Sequence, residues 1–524
     1  MLWFDSSARR IARVFPLWRE TASASPDGGG RLPPELAAAL HSRIVGSVVM
    51  PGDPDYDRDR MLANPRFSHF PAVIVYCEVE SDVAECLRVA ELAKMPVVVR
   101  SGGHSTGGFS SQPGFLVDVS RMDDVFVDPE ALRVWAGPGT SFRKLNAKLA
   151  SFGLHTPGGA CPDVCVGGYM QGGGYGFTAR IFGMNCDQVE AVRVILADGR
   201  IVTADAKQNR DLFWAVRGGT GSNFGVLVEV CYRLHPGNRF SGFAITWSMA
   251  GEQALQTTAE ALEWLQANFM RTGPEGLGYQ MIWVFEGPEG AAREPLLLMR
   301  GMYHGSKEEL SQLLTPVLAR PGAALQALYD PMPYTDLNRI LLTQPYEVPQ
   351  FPPDLSPMPP PEAKLSRYLD RPVTASEWLP LLRHFLASPS PYTIAAMEIY
   401  GGAIAHPAVP NAFLHRKVDC DLFFDVFWLT PEEKAPMLAY LDAWEKLVAP
   451  IWSGRVYQNY PSPKDPDFGQ HYWGEAYPIL RAVKTKYDPT NRFRYPQSLP
   501  LLDPGAPVAD LPGLSEPVQA DDLD

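Results

Sequence analysis

The chain has 524 residues, 46% hydrophobic and 20% charged, enough for two or three domains that each bury a core. Its net charge of −13 leaves a nucleic-acid or anionic-membrane role without electrostatic support, and no apolar run is long enough to span a bilayer. Cys77, Cys86, Cys161, Cys165, Cys186, Cys231 and Cys420 are odd in number and irregularly spaced, which argues against a disulfide framework and against a zinc site.

In chain order, residues 1–44 read as an N-terminal extension: 11–19 fits a short helix, and 23–34, with Gly28-Gly29-Gly30, a loop. The start, Met1-Leu2-Trp3-Phe4-Asp5, lacks the basic and apolar stretches of a signal peptide, so a soluble, cytoplasmic protein is expected. A strand at 72–79, a helix at 81–94 capped by Ser81, and a strand at 97–100 make a β-α-β unit. Its last strand opens into Ser101-Gly102-Gly103-His104-Ser105-Thr106-Gly107-Gly108, at the strand end where open α/β sheets place ligands. Such a turn exposes successive backbone N–H groups, a nest for an anion such as a pyrophosphate. Strands at 115–119 and 133–136 and a helix at 141–152 lead to a second glycine cluster, Gly158 to Gly168, which holds Cys161 and Cys165. Gly172-Gly173-Gly174-Tyr175-Gly176 follows. An imidazole in one cluster and a thiol in the other suggest a cofactor held, and bonded, at two places.

Strands at 189–196 and 201–203 flank Asp198-Gly199, a hairpin signal, and a helix at 209–216 precedes a third glycine-rich turn, 218–225, and a strand at 226–234. The texture changes at Pro236-Gly237, which sets a domain boundary. Region 238–455 alternates helices (251–270, 306–318, 375–386, 431–448) with strands (279–286, 295–303, 393–399, 422–428), the pattern of an α+β domain with an antiparallel sheet. The proline-dense stretch 345–361 is either a binding lid or a mobile connector. Residues 501–524 are acidic, without a basic or aromatic side chain, so a disordered tail is expected.

Several of these stretches occur together in one family. Arg100-Ser101-Gly102-Gly103-His104, Gly159-Ala160-Cys161-Pro162 with Val164 and Val166-Gly167-Gly168, the 172–176 turn, and Gly218-Gly219 with Ser222-Asn223-Phe224-Gly225 are the first four segments. Near the end come Tyr457-Gln458-Asn459-Tyr460, Lys486-Tyr487-Asp488-Pro489, Asn491, Phe493 and Pro496-Gln497-Ser498. In this order they resemble the berberine-bridge-enzyme-like FAD-linked oxidases of the vanillyl-alcohol oxidase superfamily. The resemblance implies a PCMH-type FAD-binding domain of two subdomains at 45–237 and a substrate domain at 238–455, an antiparallel sheet covered by helices. A segment at 456–500 would return to the FAD domain. It also implies FAD bonded twice, by His104 to the 8α-methyl and by Cys161 to C6. Cys165 stands where relatives usually have glycine. Further cofactor contacts are implied for Arg100, Ser101, Gly102, Gly103, Ser105, Gly108, Val164, Gly167, Gly168, Gly172, Gly173, Gly174, Tyr175, Gly176, Gly225, Val226, Tyr457 and Asn459. Without the family, either cysteine reads as a small buried hydrophobe and His104 as a hydrogen-bonded loop residue.

A flavin accepts hydride, and the protein supplies orientation and a base for the hydroxyl proton. Tyr457, from the family's Tyr-x-Asn motif, is the expected base, with Tyr175 as partner. Glu398 and Asp421, on or beside strands of the substrate domain, either orient a polar substrate or serve as an alternative base. The His415-Arg416 pair reads as structural. In relatives a small residue at the place of Val164 leaves room for O2, which favours an oxidase releasing H2O2. The expected activity is oxidation of an alcohol or lactol carbon of a natural product, with a small-molecule substrate and O2 as the only partners of a monomer or homodimer. The alternatives are a carbohydrate oxidase acting at the anomeric carbon, with an aromatic groove around Trp283 and Trp428, and a flavin-bearing cyclase without net redox turnover.

Overall fold

The computed structural model describes residues 31–286, 293–343 and 360–505. The 11–19 helix, the core of the 345–361 stretch and the tail beyond 505 fall outside the described residues. The expected α+β organisation is present as three main sheets. A four-stranded sheet runs Ser47–Val49, Val73–Tyr76, Phe115–Asp118, Val97–Arg100, the last three parallel. A five-stranded antiparallel sheet runs Val125–Asp128, Arg133–Ala136, Val226–Arg233, Val189–Ile195, Ile201–Asp205. These two make up the portion expected to bind FAD, called the FAD portion below. Chain order then passes through His235–Pro236, which still pairs with Leu154–His155, into Arg239–Ser248 of a seven-stranded antiparallel sheet.

The helix between the first parallel strands spans Glu80–Leu92, one residue earlier than expected, and Ser81 is inside it rather than its cap. No side chain caps the first-turn amides; from within that turn the buried Asp82 carboxylate ties the preceding chain to the helix, accepting from the N–H of Val45 at 2.8 Å and of Glu78 at 3.0 Å.

The seven-stranded sheet is ordered Ala324–Pro333, Arg239–Ser248, Glu294–Tyr303, Leu277–Glu286, Ile394–Ile399, Cys420–Phe427, Glu362–Leu369. One face is covered by the helices Glu252–Leu265, Ala375–Leu386 and Pro431–Val448. Trp283 and Trp428 belong to this helical side, both at most 2% exposed, and Trp283 meets Trp378 and Trp444 edge to face or tilted. The aromatic groove expected there is a packed core instead. The other face, with Ile282, Ile394, Ala396 and Phe423, lies on the FAD portion. Contact is close enough that a Cβ on Gly278 would sit 1.6 Å from the Phe177 carbonyl oxygen. The C-terminal segment closes the molecule, with the Val97 N–H donating to the Arg492 carbonyl at 3.1 Å. Asp488, fully buried, holds that return by accepting from Lys484 Nζ at 2.6 Å and from the N–H of Arg492 and Phe493.

Candidate active site

The strand Val97–Arg100 ends in a buried ion pair: Arg100 Nε lies 2.5 Å from Asp118 Oδ2 on the neighbouring parallel strand. This anchors the glycine turn that follows, in which Gly103 has φ of 73° and its carbonyl accepts from Ala63. The backbone N–H groups of residues 101–107 have no protein acceptor among the described residues. That array of free donors is what an anionic cofactor requires. Arg100, paired with Asp118, props the loop from beneath and does not itself line the cavity the loop borders.

The loop borders a cavity of about 270 Å³ between the FAD portion, the Glu362–Leu369 and Cys420–Phe427 strands and the C-terminal segment. Of the residues expected to touch the cofactor, Ser101, Gly102, Gly103, His104, Ser105, Cys161, Val164, Gly168, Tyr457 and Asn459 line it. The others pack against protein: Gly108 on the Phe67 ring, Gly167 on Pro138, Gly173 on Phe413, Gly174 on Tyr169, Gly176 on the Gly158 carbonyl and Gly225 on Val194. Val226 is core. Gly172 gives way to Asn459, whose Oδ1 would be 2.0 Å from an added Cβ. In the third glycine turn it is Thr220, Gly221 and Ser222 that reach the cavity, Thr220 and Ser222 with φ of 66° and 56°. Ser222 Oγ accepts from the Val99 N–H and Thr220 is hydrogen-bonded to Tyr495 of the C-terminal segment.

Burial holds the His104 imidazole down to about 4, so it is neutral near pH 7 with a free ring nitrogen, and burial raises the Cys161 thiol above its ordinary value. Cys165 lines the same cavity, its thiol donating to the Gly139 carbonyl at 3.2 Å and pressing on Gly102. A neutral imidazole and a thiol on one cavity, beside a loop of free amides, fit a flavin bonded at two points.

The Tyr457 hydroxyl oxygen accepts from the Gly174 N–H at 2.9 Å, the Tyr175 N–H at 3.2 Å and Asn459 Nδ2 at 3.0 Å. Burial raises its pKa while these three donors oppose the rise. Three donors on one oxygen favour its charged form, but burial and the Glu398 charge outweigh them and hold the hydroxyl neutral near pH 7. Tyr175 contributes its backbone N–H only, because its own hydroxyl donates to the Ile399 carbonyl at 3.0 Å, away from the cavity.

Glu398 and Asp421 face the FAD portion but stand behind the cavity wall, directly opposite each other across paired strands. Glu398 Oε1 accepts from the Tyr460 hydroxyl at 2.9 Å, and that ring lies edge-on to Tyr457. Asp421 accepts from Ser366 Oγ at 2.6 Å, and Ser366 in turn accepts from the Tyr457 N–H. Burial pushes both carboxyls up, and Asp421 adds to the rise at Glu398. Neither carboxyl lines the cavity, and each reaches Tyr457 only through a neighbour, Tyr460 or Ser366. Arg416 makes paired contacts of 2.7 and 2.8 Å to Asp187, and His415 stacks on Tyr368.

Sequence reasoning missed Glu362, Lys364 and Asp425, which line the cavity from the substrate sheet. Lys364 Nζ lies 2.6 Å from Asp425 Oδ2. The only sequence signal was an alternation of charge with apolar residues in Glu362-Ala363-Lys364-Leu365.

Residues 71–205 match the FAD binding domain family and residues 456–500 the "Berberine and berberine like" family. An uncharacterized FAD-linked oxidoreductase, YvdP of Bacillus subtilis, is 31% identical over 465 residues, covering 88% of this chain and 99% of that protein. The carbohydrate oxidase of Microdochium nivale is 27% identical over 86% of this chain and 92% of its own length. The solved structure of Physcomitrella patens BBE-like 1 superposes with a TM-score of 0.78 at 24% identity, over 89% of this chain and 99% of that one. With a glycine loop of free amides, a cavity shared by both subdomains and the substrate sheet, and these relatives, the chain belongs to the berberine-bridge-enzyme-like FAD-linked oxidoreductases.

Proposed function

We propose that the protein is a bicovalent FAD oxidase that takes hydride from an alcohol or lactol carbon, with His104 and Cys161 attaching the cofactor and Tyr457 as the base. When bound, the flavin supplies two-electron acceptance from the substrate and reoxidation by O2 with release of H2O2. The observation that carries this reading is the Tyr457 oxygen, held by three donors in the cavity that His104 and Cys161 also line. Those donors fix the oxygen in place and oppose the burial that favours its neutral form, so that once deprotonated it accepts a substrate hydroxyl proton as hydride leaves. The two amides come from the 172–176 turn and the third donor from Asn459, so the base is aligned by backbone rather than by a mobile side chain.

His104, neutral near pH 7, has a nitrogen lone pair to offer the flavin's 8α-methyl carbon; Cys165, whose thiol donates to the Gly139 carbonyl, is the weaker candidate for the second bond. Val164 at the cavity wall leaves access for O2. A carbohydrate substrate is favoured by the Microdochium nivale relative, whose name is carbohydrate oxidase. Peroxide release on alternating panels of sugars and apolar alcohols separates the two substrate classes. Substrate conversion without peroxide would instead support the cyclase alternative and contradict the oxidase.

A further inference from the structure

One wall of the cavity gathers two carboxyls around a single lysine. Lys364 and Asp425 face each other across the pairing of Glu362–Leu369 with Cys420–Phe427, and Lys364 Nζ is also 3.4 Å from Glu362 Oε1. The rest of that ammonium is covered by the Phe423 and Tyr460 rings, at 4.3 and 4.5 Å from their centroids. Lys364 is therefore shared between two carboxyls and fully engaged. Asp425 is 2% exposed, and its second oxygen, Oδ1, has no hydrogen-bond donor. Glu362 lies beside it, and burial, the nearby Asp425 charge and a hydrogen bond between the two carboxyls lift it to about 7, so the pair shares a proton. Arg66, over the Phe67 and Trp428 rings, is the other cation that feels Glu362, but it does not line the cavity.

The pair is held rigidly. Asn64 donates from Nδ2 to the Glu362 carbonyl at 3.0 Å and accepts the Glu362 N–H at 3.2 Å, clamping the strand start to the FAD portion. Two carboxyls that share one proton beside a lysine offer a place where a cation can take that proton's part. A hydroxyl would bring a single donor and no charge. An ammonium brings three donors and a positive charge, while an anion would meet like charge.

We propose that Glu362 and Asp425 form a cation subsite of the substrate pocket, and that the alcohol oxidised by this enzyme carries a protonated amine. This rests on the oxidase reading, because it assigns that cavity wall to substrate. The test is calorimetric titration of the flavin-loaded protein at pH 7 with benzylamine, benzyl alcohol and benzoate, probes of one shape and three charges. Benzylammonium should bind at least about tenfold tighter than benzyl alcohol, and benzoate should give no binding heat. Asp425→Asn should bring the amine and the alcohol to within about twofold, with covalent flavin content unchanged. Should that variant fail to fold because Lys364 loses its partner, Glu362→Gln, which leaves the Lys364–Asp425 contact in place, should lower the amine preference in the same direction. Equal binding of the three probes, no binding of benzylammonium, or an undiminished preference in the variants overturns the subsite. Absence of covalent flavin from the wild-type protein overturns the oxidase reading instead, so the two failures are distinct.

Discussion

At the scale of single residues, the site is defined by how many donors each side chain meets. Tyr457 has three on one oxygen, so removing the oxygen removes the base without disturbing packing. Tyr457→Phe should keep flavin bound and lower kcat by about 10²- to 10⁴-fold, the usual worth of a positioned base; stopped-flow reduction under anaerobic conditions measures it, and an unchanged rate would remove Tyr457 from the mechanism. Gly172→Ala gives a milder version. Its φ of −101° suits alanine, but the new Cβ displaces Asn459 and one of the three donors with it. The expected result is a fall in kcat of about tenfold, the lower end of a lost charge-assisted hydrogen bond, with flavin content retained. His104 and Cys161 were legible through the family resemblance that their ordered glycine segments carry; taken alone they read as a loop histidine and a small buried hydrophobe. Cys165 was legible only as a departure; its bond to the Gly139 carbonyl depends on a contact 26 residues away.

At the scale of elements, the β-α-β unit works because the Val97–Arg100 strand delivers the glycine turn while the Arg100–Asp118 pair clamps it from below. Removing one partner of so buried a pair leaves an uncompensated charge and costs about 3–5 kcal/mol. Asp118→Ala should therefore lower the melting temperature and reduce the fraction of purified protein carrying flavin, both read by calorimetry with absorbance. Elements with plain periodicity, such as Ala375–Leu386 and Pro431–Val448, have the bounds the sequence implied. Arg239–Ser248 did not announce itself, because eight of its ten positions are buried on both faces and alternation is lost. Ala324–Pro333 is an edge strand that is mostly exposed or half-buried, with the opposite problem. Glu362, Lys364 and Asp425 escaped notice for a further reason. They meet only through pairing between strands about sixty residues apart, which no local window contains.

At the scale of the whole molecule, the substrate sheet lies directly on the FAD portion, and their seam holds buried histidines. His155 is 2% exposed, bonds Thr178 Oγ1 at 2.9 Å and packs on Phe240 and Tyr334 of the substrate domain. Burial, helped by His235 and His304, holds it down to about 3. Its folded pKa lies below the unfolded value of about 6.5, so the unfolded chain binds the extra proton and stability is lost as pH falls below about 6.5. Between pH 7 and pH 5 the wild type should lose about 2 kcal/mol relative to His155→Gln, which cannot titrate. Denaturant melts at the two pH values measure the difference, and a constant gap would contradict a neutral buried imidazole.

The same seam closes the cavity in which a loop imidazole, a thiol and a phenolic oxygen converge, and the account depends most on that convergence. Its most direct test is mass spectrometry of a proteolytic digest of acid-precipitated protein. The account predicts one flavin joined to both the His104 and the Cys161 peptides. Both peptides unmodified, in enzyme that is fully active without added FAD, would contradict it.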